Sequence, residues 1–239
     1  MVNQSEYSRA QTTGPFKTAR AMTLARTFSA FGIAAALLLT GFVGPAQAVT
    51  VYKAPLRTAV RALVVTPEVN AGYDRARYFG DWKDANGDCQ NTRHEVLIQE
   101  TKAALTYSSR SCTVTRGRWV TTWDNRVHTS PTTVQIDHTV PVAEAWGSGA
   151  RYWSQARRVA FYNDLGDART LNTQTSALNS AKQAKGPEQW MPPANKCFYI
   201  GQWAAVKIRW GLRVDAAEKA ALIRYADSCP NVMLTVTRA

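Results

Sequence analysis

The segment Val134-Gln135-Ile136-Asp137-His138-Thr139-Val140-Pro141-Val142 constrains this chain more than any other. Val134 and Ile136 alternate with polar neighbours, the pattern of a half-buried strand. Pro141 ends that strand and suits the first turn of a helix running to Trp146. Asp137 and His138 therefore sit where a rigid strand gives way to a loop or helix, which fixes a carboxylate and an imidazole at a set angle. One member of such a pair can hold a divalent cation while the other accepts a proton from water.

Residues 1–48 read as an export signal. Arg9, Lys17, Arg20 and Arg26 make a basic start, an apolar run extends from Phe28 to Val43, and Pro45-Ala46-Gln47-Ala48 supplies an A-x-A cleavage site. The apolar run is shorter than the ~20 residues of a membrane span, so no stable membrane insertion is expected after cleavage. The mature chain then begins near Val49 and holds 191 residues, enough for one domain with a sizeable core. Within it, residues 49–72 read as a leader and residues 73–239 as the main domain. Removing the signal takes away four basic residues and one acid, so a net charge of +12 becomes +9. A domain this basic suits a polyanion such as nucleic acid, an anionic envelope polymer or a membrane surface.

Cys89, Cys112, Cys197 and Cys229 all lie in the mature part. Four cysteines in an exported chain argue for two disulfides, with three connectivities open. Cys89–Cys112 and Cys197–Cys229 are favoured because each pair brackets one compact segment. No C-x-x-C spacing supports zinc.

Periodicity predicts a short helix within 49–69, an irregular stretch over 73–89, and short strands or one broken helix over 95–108. Residues 112–123 are strand-like. A helix is expected over 150–162, a strand over 169–175 and a short helix over 176–184, with Ser176 as a plausible N-cap. Two further helices are expected over 196–210 and from Val214 to Tyr225. The tail after Cys229 has no clear period. Helices thus dominate around one small strand pair.

Strand, excursion, second strand and helix can bring Asp137-His138, Asn163 and Asn179 together. Asp137 and Asn179 then offer oxygen ligands to a hard cation, and a neutral His138 can deprotonate water. Lys182 and Lys185 lie just beyond, where they suit either a solvated helix face or contact with phosphate. Asn163 suits a helix C-cap as well as a site role. Asp84-Ala85-Asn86-Gly87-Asp88 is not an EF-hand, because Trp82 falls where the first ligand should be. A serine hydrolase is disfavoured, since no G-x-S-x-G is present.

The order of these residues resembles the HNH, or ββα-metal, endonucleases. More closely it resembles secreted bacterial HNH-family nucleases related to the C-terminal domain of GmrSD-type restriction enzymes. The resemblance runs from Tyr73-Asp74-Arg75 through Trp82, Cys89, Cys112, Trp119, Ile136–Trp146, Asn163-Asp164-Leu165, Asn179, Lys182 and Trp190 to Pro192-Pro193. It implies an α+β fold, a ββα-metal (HNH/His-Me finger) core embedded in a mostly helical single domain with two disulfides. It also implies His138 as general base, Asp137 and Asn179 as ligands of Mg2+ or Mn2+, and Asn163 as an orienting residue. The implied reaction is hydrolysis of phosphodiester bonds in DNA, with RNA as the second candidate, at low sequence specificity by a secreted enzyme. Where relatives often read R-S-K-G-D after the asparagine, this chain has Ser180-Ala181-Lys182-Gln183-Ala184, which leaves the phosphate-side contacts open. The competing reading is a basic secreted protein that binds nucleic acid or envelope polymer without cutting it.

Overall fold

The computed structural model describes residues 50–108 and 111–239. The expected signal, residues 1–48, lies outside them. Strand β1 (Val51–Pro55) leads into helix α1 (Leu56–Ala62), and helices α2 (Arg75–Phe79) and α3 (Thr92–Glu100) follow. Short strands β2 (Thr106–Tyr107), β3 (Val114–Arg116), β4 (Trp119–Val120) and β5 (Val127–His128) precede strand β6 (Val134–His138). Then come helices α4 (Val142–Gly147) and α5 (Gln155–Tyr162), strand β7 (Leu171–Thr175) and helix α6 (Ser176–Lys182). Helices α7 (Lys196–Trp210) and α8 (Ala216–Asp227) and strand β8 (Met233–Thr237) complete the order. Among the described residues the strands form four antiparallel two-stranded sheets: β1 with β8, β2 with β3, β4 with β5 and β6 with β7. The fold is α+β.

Helix α7 is the spine. Residues from Tyr199 to Ile208 are buried almost without a break, as expected of a helix apolar on most sides. It ends at Gly211, whose φ of +64° lies in the left-handed region glycine favours, while Leu212 N–H closes the turn on Lys207 O at 2.9 Å. Around α7 pack Leu56, Val60, Phe79, Trp146, Phe161, Leu222 and Leu234. A smaller cluster joins Val96, Leu97, Val114 and Trp119 to Val134, Ile136 and Leu171 of the β6–β7 pair. Both disulfides, Cys89–Cys112 and Cys197–Cys229, form as favoured. Among the described residues no helix is long and apolar enough to cross a membrane.

Several local expectations change. The stretch read as a leader is part of the fold, because β1 pairs along its whole length with β8 in the supposedly unpatterned tail. Pro141 stands at the N-cap of α4, not in its first turn. The expected helix over 150–162 is interrupted: Ala150–Tyr152 is a 3-10 turn, and α5 starts afresh at the Ser154 cap, whose side chain accepts from Arg157 N–H at 3.2 Å. Residues 92–100 are helical because Asn91 caps α3 through His94 N–H.

Candidate active site

Val134 and Ile136 are anchored in the smaller apolar cluster, which pins the register of β6. That register sets Asp137 opposite Asn172 and His138 opposite Leu171, and α6 follows β7 directly, capped by the Thr175 side chain. The outcome is a strand pair and a helix that place Asp137, His138 and Asn179 on one cleft of about 390 Å³. Tyr73 and Arg75, from 64 and 62 residues before Asp137, line the same cleft.

His138 is buried, and its Nε2 lies 2.9 Å from the Tyr162 carbonyl oxygen. A carbonyl only accepts, so Nε2 carries the proton and Nδ1 keeps the lone pair. The Trp82 ring stacks on the imidazole at 5.4 Å with 7° between planes, and the Tyr162 ring lies at 4.8 Å. This enclosure pushes the imidazole pKa down to about 3, opposed by the Tyr162 carbonyl and reinforced by the charges of Arg75 and Lys182. His138 is therefore neutral at physiological pH.

Asp137 is buried beside a buried ammonium. Lys182 Nζ lies 2.9 Å from Asp137 Oδ2 and donates to the His138 carbonyl at 2.8 Å. Burial pushes the Asp137 carboxyl up and the Lys182 ammonium down, and each partner draws the other back toward its charged form. This corrects the expectation that Lys182 lies on a solvated helix face or contacts phosphate: its side chain is fully buried, with Nζ 5.4 Å from the Trp123 ring centroid. Lys185 does not line the cleft either. Its Nζ turns back to the Ala181 carbonyl at 2.9 Å, closing the end of α6.

Asn163 is at the C-cap of α5, outside the cleft lining. Its Oδ1 accepts from Lys83 N–H at 2.9 Å and Thr92 Oγ1 at 2.7 Å, while Nδ2 donates to Val159 O at 3.1 Å. It ties the segment around Trp82 to the peptide that follows Tyr162, and so to both groups that hold His138. Asp164, one residue further, is gripped by Arg209 at 2.7 and 2.8 Å and by Trp210 Nε1 at 2.9 Å, which fixes this corner against α7.

A second acidic group lies elsewhere. Carboxylate oxygens of Glu68, Glu144 and Glu218 lie within 4.8 Å of one another. Glu144, on the short helix α4, is buried. The Lys207 ammonium already sits among them, 2.5 Å from Glu144 Oε1 and 2.9 Å from Glu218 Oε1. Burial, and then the neighbouring Glu144, raise the Glu68 pKa to about 8; burial likewise raises that of Glu218 to about 7.

Residues 82–225 match the family of GmrSD restriction endonucleases, C-terminal domain. The chain belongs to that family. An uncharacterized secreted protein of Arthroderma benhamiae is 35% identical over 176 residues, covering 72% of this chain and 84% of that protein. No solved structure matches. The matched region of this GmrSD-family chain contains Asp137, His138, Asn163 and Asn179 and excludes Arg75. Arg75, Trp82 and Tyr162 are cleft or supporting residues that sequence reasoning gave no role. Tyr73-Asp74-Arg75 and Trp82 were visible as parts of the resemblance; Tyr162 carried no signal beyond standing next to Asn163.

Proposed function

We propose that this chain is a secreted, metal-dependent endonuclease that hydrolyses phosphodiester bonds of DNA, and secondarily RNA, with an HNH-type centre. The convergence of Asp137, His138 and Asn179 on one cleft carries the reading. One carboxylate and one amide oxygen beside an open cleft suit a hard cation that keeps several waters, as Mg2+ does, with Mn2+ also suited. Asp137 and Asn179 would hold it, and when bound it supplies neutralising charge to the phosphate and the departing oxygen.

The chain's own groups do the rest. His138 Nδ1 accepts a proton from the attacking water, and the bond from Nε2 to Tyr162 O holds the ring in the tautomer this requires. Trp82 fixes the ring plane. Lys182 fixes the Asp137 carboxylate and the His138 carbonyl together. Asn163 holds the Tyr162 corner and touches no reacting atom. Secretion is supported by the A-x-A signal pattern, by two disulfides, which suit an oxidising compartment, and by the description of the fungal relative.

Plasmid digestion tests the reading. Mature protein should nick and linearise plasmid with Mg2+ or Mn2+ and stop with EDTA, and His138→Ala should lose on the order of a hundredfold or more in rate. Intact plasmid across Mg2+, Mn2+ and Ca2+ would favour polyanion binding without cleavage. A His138→Ala enzyme as fast as wild type would remove His138 as the base.

A further inference from the structure

Arg75 is the cleft-lining cation that the hydrolytic reading leaves without a task. It opens α2 behind the Asp74 cap and is exposed, with its guanidinium packed in part on Tyr162. One guanidinium nitrogen donates to the Tyr162 hydroxyl at 2.8 Å, and the guanidinium carbon stands 5.2 Å from the Tyr162 ring centroid. Tyr162 also supplies the carbonyl that holds His138, so one residue sets the guanidinium and the imidazole relative to each other. Among the described residues no carboxylate lies within ion-pairing distance of Arg75. The other cation near the centre, Lys182, is buried against Asp137. A guanidinium has five N–H donors in a planar fork that matches two phosphate oxygens. With one bond made to Tyr162, the remaining donors of Arg75 are open to an anion in the cleft.

We propose that Arg75 binds the non-bridging oxygens of the phosphodiester that is cut, with Tyr162 as the post that aims it. This inference rests on the hydrolytic reading of the cleft and adds the substrate-side contact that Lys182 does not make. Arg75 and His138 line the same cleft, so a phosphate held there can meet both groups. Neutral analogues of the phosphodiester lose this contact, and lysine, a point charge without the fork, replaces it only in part.

Two measurements test it. In cleavage of a labelled oligonucleotide with Mg2+, Arg75→Ala should lose on the order of a hundredfold in kcat/KM, the size usual for one oxyanion-directed donor. Arg75→Lys should fall between the two, and Tyr162→Phe, which keeps the guanidinium and removes its post, should lose less than Arg75→Ala. In EDTA, where nothing is cut, NMR titration should show wild type binding the dinucleotide TpT about tenfold more tightly than its uncharged methylphosphonate analogue, as expected for loss of a charge-assisted contact worth about 1.4 kcal/mol. Arg75→Ala should bind both alike. An Arg75→Ala protein that still prefers TpT tenfold, with its melting temperature unchanged, overturns the proposal. If wild type cuts nothing with any divalent ion, the hydrolytic reading fails, while the TpT comparison still decides whether Arg75 is a phosphate contact.

Discussion

Lys182→Met should destabilise the metal-free protein by about 3–5 kcal/mol at pH 7, the cost typical of removing one partner from a buried ion pair. The structure puts this change at the upper end for a single substitution. Lys182 has no exposed surface, its ammonium is 2.9 Å from Asp137 Oδ2, and it also satisfies the His138 carbonyl at 2.8 Å. Methionine of similar length leaves a buried carboxylate without its cation and a buried carbonyl without its donor, the latter alone worth about 1–3 kcal/mol. The loss should shrink in acid. Without Lys182, burial leaves the folded-state pKa of Asp137 well above its unfolded value, so the variant is penalised progressively as pH rises above the ordinary carboxylate range. The double variant Asp137→Asn/Lys182→Met removes both charges and should recover much of the loss, giving a coupling energy above about 1.5 kcal/mol. Urea unfolding in EDTA at pH 5 and pH 8, on wild type, both single variants and the double variant, provides the cycle. A Lys182→Met loss under about 1 kcal/mol, or purely additive effects, would refute the buried-pair account.

Asn163→Ala should cost about 1–3 kcal/mol by removing the bonds to Lys83, Thr92 and Val159. It should slow cleavage yet leave Mn2+ affinity by calorimetry near wild type, whereas Asn179→Ala should weaken Mn2+ binding; equal affinity losses would contradict the assignment of Asn163 to orientation. Glu68→Gln should stabilise the protein in alkali. With a folded-state pKa near 8 against 4.5 unfolded, Glu68 imposes no cost below pH 4.5, and stability is lost as pH climbs toward 8. The melting-temperature advantage of Glu68→Gln should therefore be absent near pH 4 and grow up to pH 8, and parallel curves for the two proteins would count against a Glu68 carboxyl raised by burial beside Glu144.

The elements that carry the centre were legible because their patterns are local. Val134 and Ile136 alternate beside Asp137-His138, and Asn179 follows a second strand at helical spacing, so β6, β7 and α6 could be read from short windows. Both disulfides were legible for the same reason, each closing a segment of modest length. What escaped depends on distance along the chain. The pairing of Val51 with Thr237 joins the two ends of the domain, and neither strand declares its partner. Lysine at the end of a helix reads as solvated, so the burial of Lys182 needed the position of Asp137, forty-five residues earlier, to become visible. The same holds for Glu144, whose buried setting depends on Lys207 of α7. Arg75 reaches the cleft only because α2 packs on α5, a contact no sequence window contains.

The location of a bound Mn2+ in crystals of the wild-type protein, found by its anomalous scattering, bears most directly on the claim that Asp137 and Asn179 form a metal centre beside His138. One strong peak is expected, bound by an Asp137 oxygen and the Asn179 amide oxygen, with waters completing the shell. A peak among Glu68, Glu144 and Glu218 instead, or Asp137 and Asn179 side chains turned apart at saturating Mn2+, would contradict that claim.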